Sequence, residues 1–158
     1  MNINIISVGK IKEEYFRAAL AEYEKRLSRF CRLNIIQLPD KKIPENASEK
    51  ECEGVLRAEG EQILAKIGSR DRVIAMCVEG KMLDSWQLAD KMKQLSMSGE
   101  AVDFVIGGSL GLWDEVKKRA DFKLSLSAMT FPHRIARLVL EEQIYRAFKI
   151  NANETYHK

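Results

Sequence analysis

The sequence is poor in the residues that bind metals and form disulfides. Its 158 residues include only two histidines, His133 and His157, and three widely separated cysteines, Cys31, Cys52 and Cys77, without a C-x-x-C pair. Structural zinc sites use about four Cys or His ligands, so we expect no metal site. An odd number of separated cysteines is typical of reduced thiols, which we expect to be buried or half-buried.

Long apolar runs and a strong net charge are also absent. No run reaches the roughly 18 apolar residues of a membrane span. The N-terminal MNINIISVGK lacks the basic, apolar and cleavage regions of a signal peptide. These features predict a cytoplasmic location. The net charge of +3 comes from 26 basic and 23 acidic residues, and it does not by itself indicate nucleic-acid binding.

What the chain does contain is a regular alternation of strand and helix patterns. Strands are predicted at 3–8, 33–38, 72–78, 102–106 and 122–126, and helices at 13–30, 48–67, 84–99, 113–120 and 132–150. This alternation predicts an α/β fold, with a mostly parallel sheet and helices on both faces. Because no repeat or linker interrupts it, we predict a single domain spanning residues 1–158.

In such a fold, ligands bind at the carboxyl ends of the strands, where loops enter helices. Three predicted loops lie there, after Val78, Ile106 and Leu126. The third belongs to the stretch LSLSAMTFPHR (124–134), in which small and hydroxyl residues precede Pro132, a residue suited to a helix start. Small residues allow a ligand to lie against the backbone, so this loop is a candidate binding segment.

The glycine-rich segment FVIGGSLGLWDE (104–115) supports several interpretations. Its glycines fit a tight turn, or a loop that accepts an adenosine or methionine moiety against bare backbone. Residues 107–111 also fit G-x-S-x-G, which would make Ser109 a hydrolase nucleophile with Asp121 and either His133 or His157. A dinucleotide site is disfavoured, because the spacing is not G-x-G-x-x-G and the loop does not follow the first strand.

Longer motifs carry a family resemblance. The segments FVIGGSLGL (104–112), LSLSAMTFPHRIARLVLEEQIYRAFKI (124–150) and YHK (156–158) occur in this order, with VGK, AEYEKRL and EGKML upstream. The whole chain thereby resembles the RlmH family of ribosomal RNA methyltransferases, in the SPOUT superfamily. The resemblance implies a C-terminal trefoil knot, a homodimer and S-adenosylmethionine as methyl donor, without a metal. It also implies methylation of N3 of a pseudouridine in a stem-loop of 23S rRNA, on assembled ribosomes or large subunits.

The resemblance also assigns roles to individual positions. The donor site would comprise Met76, Gly107, Gly108, Leu126, Ser127, Ala128, Met129, Thr130 and Phe131. His133 and His157 are the candidate bases for the N3 proton, and Tyr156 would stack on a nucleotide base. Arg134, Arg137 and Lys158 would contact RNA phosphates. Gly107→Val is then expected to block donor binding without unfolding the protein.

Two further expectations concern assembly and catalysis. The last predicted helix has a wide apolar surface, which favours a two-fold dimer in which the tail of one subunit approaches the pocket of the other. The alternative to an enzyme is a ribosome-associated RNA-binding protein of the same fold that has lost catalysis. The intact donor loop argues against that alternative.

Overall fold

Five strands and five helices alternate along the chain, and the computed structural model describes all residues from 1 to 158. The strands are β1 (Asn2–Val8), β2 (Arg32–Leu38), β3 (Arg72–Met82), β4 (Val102–Ile106) and β5 (Phe122–Ser125). The helices are α1 (Glu14–Leu27), α2 (Glu49–Leu64), α3 (Ser85–Ser96), α4 (Asp114–Arg119) and α5 (His133–Asn151). None of the helices is long and apolar enough to cross a membrane.

The strands form one sheet in the order β2-β1-β4-β3-β5, and every neighbouring pair is parallel. All five residues of the central strand β4 are buried, as expected for a parallel strand covered on both faces. The predicted α/β class and parallel sheet are confirmed. The trefoil knot stays a prediction from the family resemblance.

Helices cover both faces of the sheet and enclose two apolar cores. Successive residues of a strand point to opposite faces, so Ile5 packs in one core and Ile6 in the other. The larger core includes Leu140 and other residues of α1, α3 and α5, and the smaller one includes Ile63 and Val116 of α2 and α4. The helical layers on both faces are therefore confirmed.

Strand β3 is longer than its sequence pattern predicts. The apolar run ends at Val78, but pairing with β5 continues to Met82 after a register shift between Met76 and Lys81. Gly80 lies so close to β5 that an added Cβ would be 2.7 Å from the backbone of Lys123. The segment between the two paired stretches bulges out of the sheet. This extension depends on a distant strand, which explains why local periodicity missed it.

Candidate active site

A pocket with a volume of about 680 Å³ lies at the carboxyl ends of the strands. Its walls come from the bulge of β3, the glycine loop after β4 and the loop after β5. These are the three loops that the sequence predicted to meet at one edge. The volume is within the usual range for small-molecule sites.

The loop after β5, residues 126–131, leaves its main chain largely unpaired. None of its residues takes part in a backbone–backbone hydrogen bond. The Ser127 carbonyl accepts a bond from Ser125 Oγ at 2.9 Å, and Met129 N–H donates to Ser127 Oγ at 3.1 Å. The other N–H and C=O groups of the loop form no hydrogen bond within the chain. Leu126, Ser127, Met129, Thr130 and Phe131 line the pocket, whereas the exposed Ala128 does not.

The glycine loop serves both as a tight turn and as a pocket wall. Gly111 has a φ of +83°, and its N–H donates to the Gly108 carbonyl at 3.0 Å. A Cβ on Gly107 would overlap the carbonyl of Gly111. Gly107→Val must therefore displace the loop itself. That the protein stays folded with this substitution remains a prediction.

Two charged side chains in the pocket, Glu79 and Lys117, were not predicted from the sequence. They are the only lining residues with a formal charge besides the titratable His133, and Lys117 Nζ lies 2.5 Å from Glu79 Oε1. The hydrogen bond from Lys117 lowers the pKa of Glu79, and the same bond raises the pKa of Lys117. Glu79 belongs to the EGKML motif, but only the β3 bulge directs it towards α4.

His133, the first residue of α5, lines the pocket beside the loop after β5. Its imidazole packs against Gly9, where an added Cβ would be 3.0 Å from Nε2. Burial, together with the charge of Arg134, lowers the pKa of His133. Nε2 is buried without a hydrogen-bond partner. The lowered pKa favours the uncharged form of the ring at neutral pH.

The hydrolase interpretation of the glycine loop is wrong. Asp121 lies at the opposite edge of the sheet, where its carboxylate accepts a hydrogen bond from Val73 N–H at 2.8 Å and pairs with Arg72 and Arg119. Ser109 lines the pocket, but no Asp–His pair accompanies it. Without an orienting carboxylate, the serine lacks the arrangement that activates such nucleophiles.

Comparisons with known proteins identify the family. The model of the family described as "Predicted SPOUT methyltransferase" matches residues 1–157. This chain belongs to the SPOUT methyltransferase family. It is 54% identical to a "Ribosomal RNA large subunit methyltransferase H" of Clostridioides difficile and 50% identical to one of Leuconostoc mesenteroides, with full coverage of both chains in each case.

A solved structure supports the same fold. It is described as a probable methylase family protein from Haemophilus influenzae, and it matches with a TM-score of 0.58 and 15% identity. The match covers 99% of this chain and 70% of that one. No group of three or more potential metal ligands occurs in this SPOUT methyltransferase.

The C-terminal tail of this SPOUT methyltransferase packs on its own helices rather than in the pocket. The Tyr156 hydroxyl donates to Glu142 Oε1 at 3.1 Å, and its ring meets that of Tyr145 edge-on at 4.9 Å. His157 Nδ1 lies 3.3 Å from an Arg146 nitrogen, and its ring meets Trp86 edge-on. Within one chain, therefore, the tail does not join His133.

The three predicted phosphate contacts of this SPOUT methyltransferase have different environments. Lys158 is exposed, and Arg134 is 40% exposed and pairs with Glu13 at 2.9 Å. Arg137 is only 2% exposed, and its guanidinium bonds Glu141 and Glu24, each at 2.8 Å. Arg137 thus cannot reach a phosphate from this position, which corrects the prediction. Its helical spacing from Glu141 is visible in the sequence, but its burial is not.

Proposed function

We propose that this SPOUT methyltransferase transfers the methyl group of S-adenosylmethionine to N3 of a pseudouridine in a stem-loop of 23S rRNA. The names of relatives with 50–54% identity support a large-subunit ribosomal RNA substrate. The observation that carries the proposal is the unpaired backbone of residues 126–131 on the pocket wall. We expect the protein to act in the cytoplasm, where ribosomes are located.

The pocket fits the adenosine part of this donor. An adenine edge needs both hydrogen-bond donors and acceptors, which the free N–H and C=O groups of residues 126–131 supply. The faces of the ring need apolar neighbours, and Met76, Leu126 and Phe131 line the same pocket. Gly107 and Gly108 line the same pocket and would lie beside the bound donor. When bound, S-adenosylmethionine supplies an electrophilic methyl group on a positively charged sulfur.

Methyl transfer further requires alignment of the acceptor nitrogen and loss of its proton. The protein can supply alignment by holding donor and nucleotide on rigid loops at near-attack distance. His133 stands at the pocket, and its lowered pKa keeps it neutral. It is therefore one candidate base for the N3 proton, and His157 is the other.

A homodimer would bring the second candidate to the pocket. Large apolar side chains are exposed around the pocket and the tail, and these are Val78, Met82, Trp86 and Met129, at 48–69% of full exposure. On α5, Ile135, Leu138, Val139, Tyr145 and Phe148 are only half-buried. We propose that a second copy covers such surfaces and places Tyr156 and His157 of one subunit beside the pocket of the other. Light scattering tests this, with twice 18.1 kDa expected.

The RNA would approach across the loops that follow β1 and β2. These loops are adjacent, because Gly9 N–H donates to the Leu38 carbonyl at 2.8 Å. They carry four exposed lysines that form no ion pair within 4.0 Å: Lys10, Lys12, Lys41 and Lys42. Gly9 also contacts His133. With Arg134 and Lys158, these lysines would bind phosphates and position the RNA.

Two measurements test this function. Calorimetry should show binding of S-adenosylmethionine, and labelled donor should transfer tritium to ribosomes or large subunits that lack the modification. We expect naked RNA fragments to be poorer substrates. A protein that binds ribosomes but neither binds nor uses the donor would instead support the non-catalytic alternative.

A further inference from the structure

We propose that Glu79 and Lys117 form a subsite for an α-amino-acid group, the methionyl end of the donor. The Glu79 carboxylate would bind the α-ammonium group, and the Lys117 ammonium would bind the α-carboxylate. This inference rests on the proposed function, because it assumes that S-adenosylmethionine occupies the pocket. It adds the recognition of one end of the ligand, to which neither the family resemblance nor the comparisons assign residues.

The charge distribution of the pocket is the first argument. Apart from Glu79, Lys117 and the uncharged His133, the pocket is lined by apolar side chains, glycines, hydroxyl groups and one thiol. An amino-acid end carries one positive and one negative charge, and both lose water when they enter the pocket. Burying a charge without a partner is costly. Glu79 and Lys117 are the one pair in the pocket that offers a partner of each sign.

The geometry of the pair is the second argument. The charged groups lie 2.5 Å apart, and the side chains of Glu79 and Lys117 are 53% and 24% exposed. Both side chains are therefore partly exposed and can contact a ligand in the pocket. Binding would exchange one ion pair for two charge-assisted hydrogen bonds, which are among the stronger polar contacts in proteins.

The backbone positions the two side chains independently of each other. Glu79 lies on the β3 bulge, which Gly80 holds close to the backbone of β5. Lys117 belongs to α4, where its N–H donates to the Trp113 carbonyl at 3.2 Å and Asp114 lies 4.0 Å from its ammonium group. Because the strand and the helix are fixed by different contacts, the pair can open for a ligand without unfolding either element.

Calorimetry with two related ligands separates this role from a purely structural one. S-adenosylhomocysteine keeps the amino-acid end, whereas 5′-methylthioadenosine lacks it but keeps adenine and ribose. We expect Glu79→Gln and Lys117→Met each to weaken S-adenosylhomocysteine binding by about tenfold or more, the usual size of a lost charge-assisted bond. Affinity for 5′-methylthioadenosine should change by less than about twofold.

The chain offers a matched control on the same helix. Lys118 and Glu115 form an ion pair of 2.6 Å on α4 that does not line the pocket. Glu115→Gln and Lys118→Met should leave the affinity for both ligands unchanged. Thermal unfolding of each variant would show whether the loss of an ion pair alone has disturbed the fold.

Several outcomes would overturn the inference. Unchanged S-adenosylhomocysteine binding in both variants would remove the subsite, and equal weakening of both ligands would move the contact to the nucleoside. If a variant unfolds, the wild-type protein decides, because a preference below about threefold for S-adenosylhomocysteine over 5′-methylthioadenosine contradicts an amino-acid subsite. Wild-type protein that binds neither ligand would overturn the proposed function as well.

Discussion

The loops at the two ends of the sheet differ in how their backbone polar groups are hydrogen-bonded. At the amino ends of the strands, side chains pair with the loop backbone. Asp71 accepts a hydrogen bond from Gly68 N–H at 2.9 Å, and Asp121 accepts one from Val73 N–H at 2.8 Å. Arg119 donates to the carbonyls of Gly68 and Asp71. At the carboxyl ends, residues 126–131 form no backbone–backbone bond.

The difference shows how one scaffold separates stability from binding. Backbone polar groups need partners, and a buried group without one lowers stability. At the amino ends the chain itself provides these partners, so the loops are closed. At the carboxyl ends glycines and small residues leave the main chain accessible, so a ligand can provide them.

The largest expected effect comes from the tail. Deleting residues 156–158 should reduce methyl transfer to ribosomes by at least about a hundredfold, the usual loss on removing a general base. Affinity for S-adenosylmethionine should stay within about threefold, because the tail does not line the pocket of its own chain. Tritium transfer and calorimetry, run side by side on full-length and shortened protein, measure both quantities.

A point substitution controls for damage by truncation. His157→Ala should reproduce the loss of transfer, whereas Thr155→Ala, at an exposed neighbouring position, should not. Equal rates in full-length and shortened protein would leave His133 as the only histidine candidate. Lost donor binding in the shortened protein would show that the tail is structural.

A smaller effect, on ribosome or RNA binding, should distinguish the basic residues at the two ends of the sheet. Lys10→Gln/Lys12→Gln should weaken ribosome or RNA binding by about tenfold and reduce the slope of log affinity against log salt by about 1.5, as two lost phosphate contacts predict. Lys66→Gln/Arg70→Gln removes the same charge at the opposite sheet end, where both side chains are exposed. If the two double variants weaken binding equally, the effect is one of net charge and the proposed RNA surface is wrong.

The smallest effect concerns Asp103 of β4, near the amino ends of the strands. Asp103 is fully buried, accepts a hydrogen bond from Asn4 at 2.6 Å, and has a pKa raised by burial to about 6. A raised carboxyl pKa favours the protonated native state, so its stabilising contribution is complete below about pH 4 and is lost as pH rises through 6. As the pH rises from 5 to 7.5, the free energy of unfolding of Asp103→Asn should increase by about 1 kcal/mol relative to that of the wild type.

Denaturant unfolding at several pH values measures this difference. The donor affinity of Asp103→Asn should not change, because Asp103 lies away from the pocket. A stability difference that is independent of pH would show that Asp103 does not titrate in this range.

Local patterns in the sequence predicted most of the fold. All ten elements were expected, and their bounds differ from the structure by at most three residues, except where β3 extends to Met82. Hydrophobic periodicity and the alternation of strands and helices are local signals. They succeeded because short-range backbone geometry determines them. The pocket loops were also found in this way, since parallel strands bring their carboxyl ends to one edge.

The wrong predictions for Arg137 and Asp121 have one physical cause. Arg137 was expected at the RNA surface but is buried between Glu141 and Glu24, and the second partner lies 113 positions away in the sequence. Asp121 was a possible triad member but lies at the amino ends of the strands, opposite the pocket. A side chain's partners depend on which distant elements pack against it, and periodicity carries no information about that.

The sequence by itself determined the order of the elements, the parallel α/β class, the glycine and small-residue loops and the family to which the chain belongs. Only the tertiary structure decided which side chains share the pocket. Glu79 meets Lys117 because β5 continues its pairing with β3 beyond a bulge. Burial beside Gly9, together with the charge of Arg134, lowers the pKa of His133. Local signals arise within a few residues along the chain, whereas charge pairing and burial arise between segments that only folding brings together.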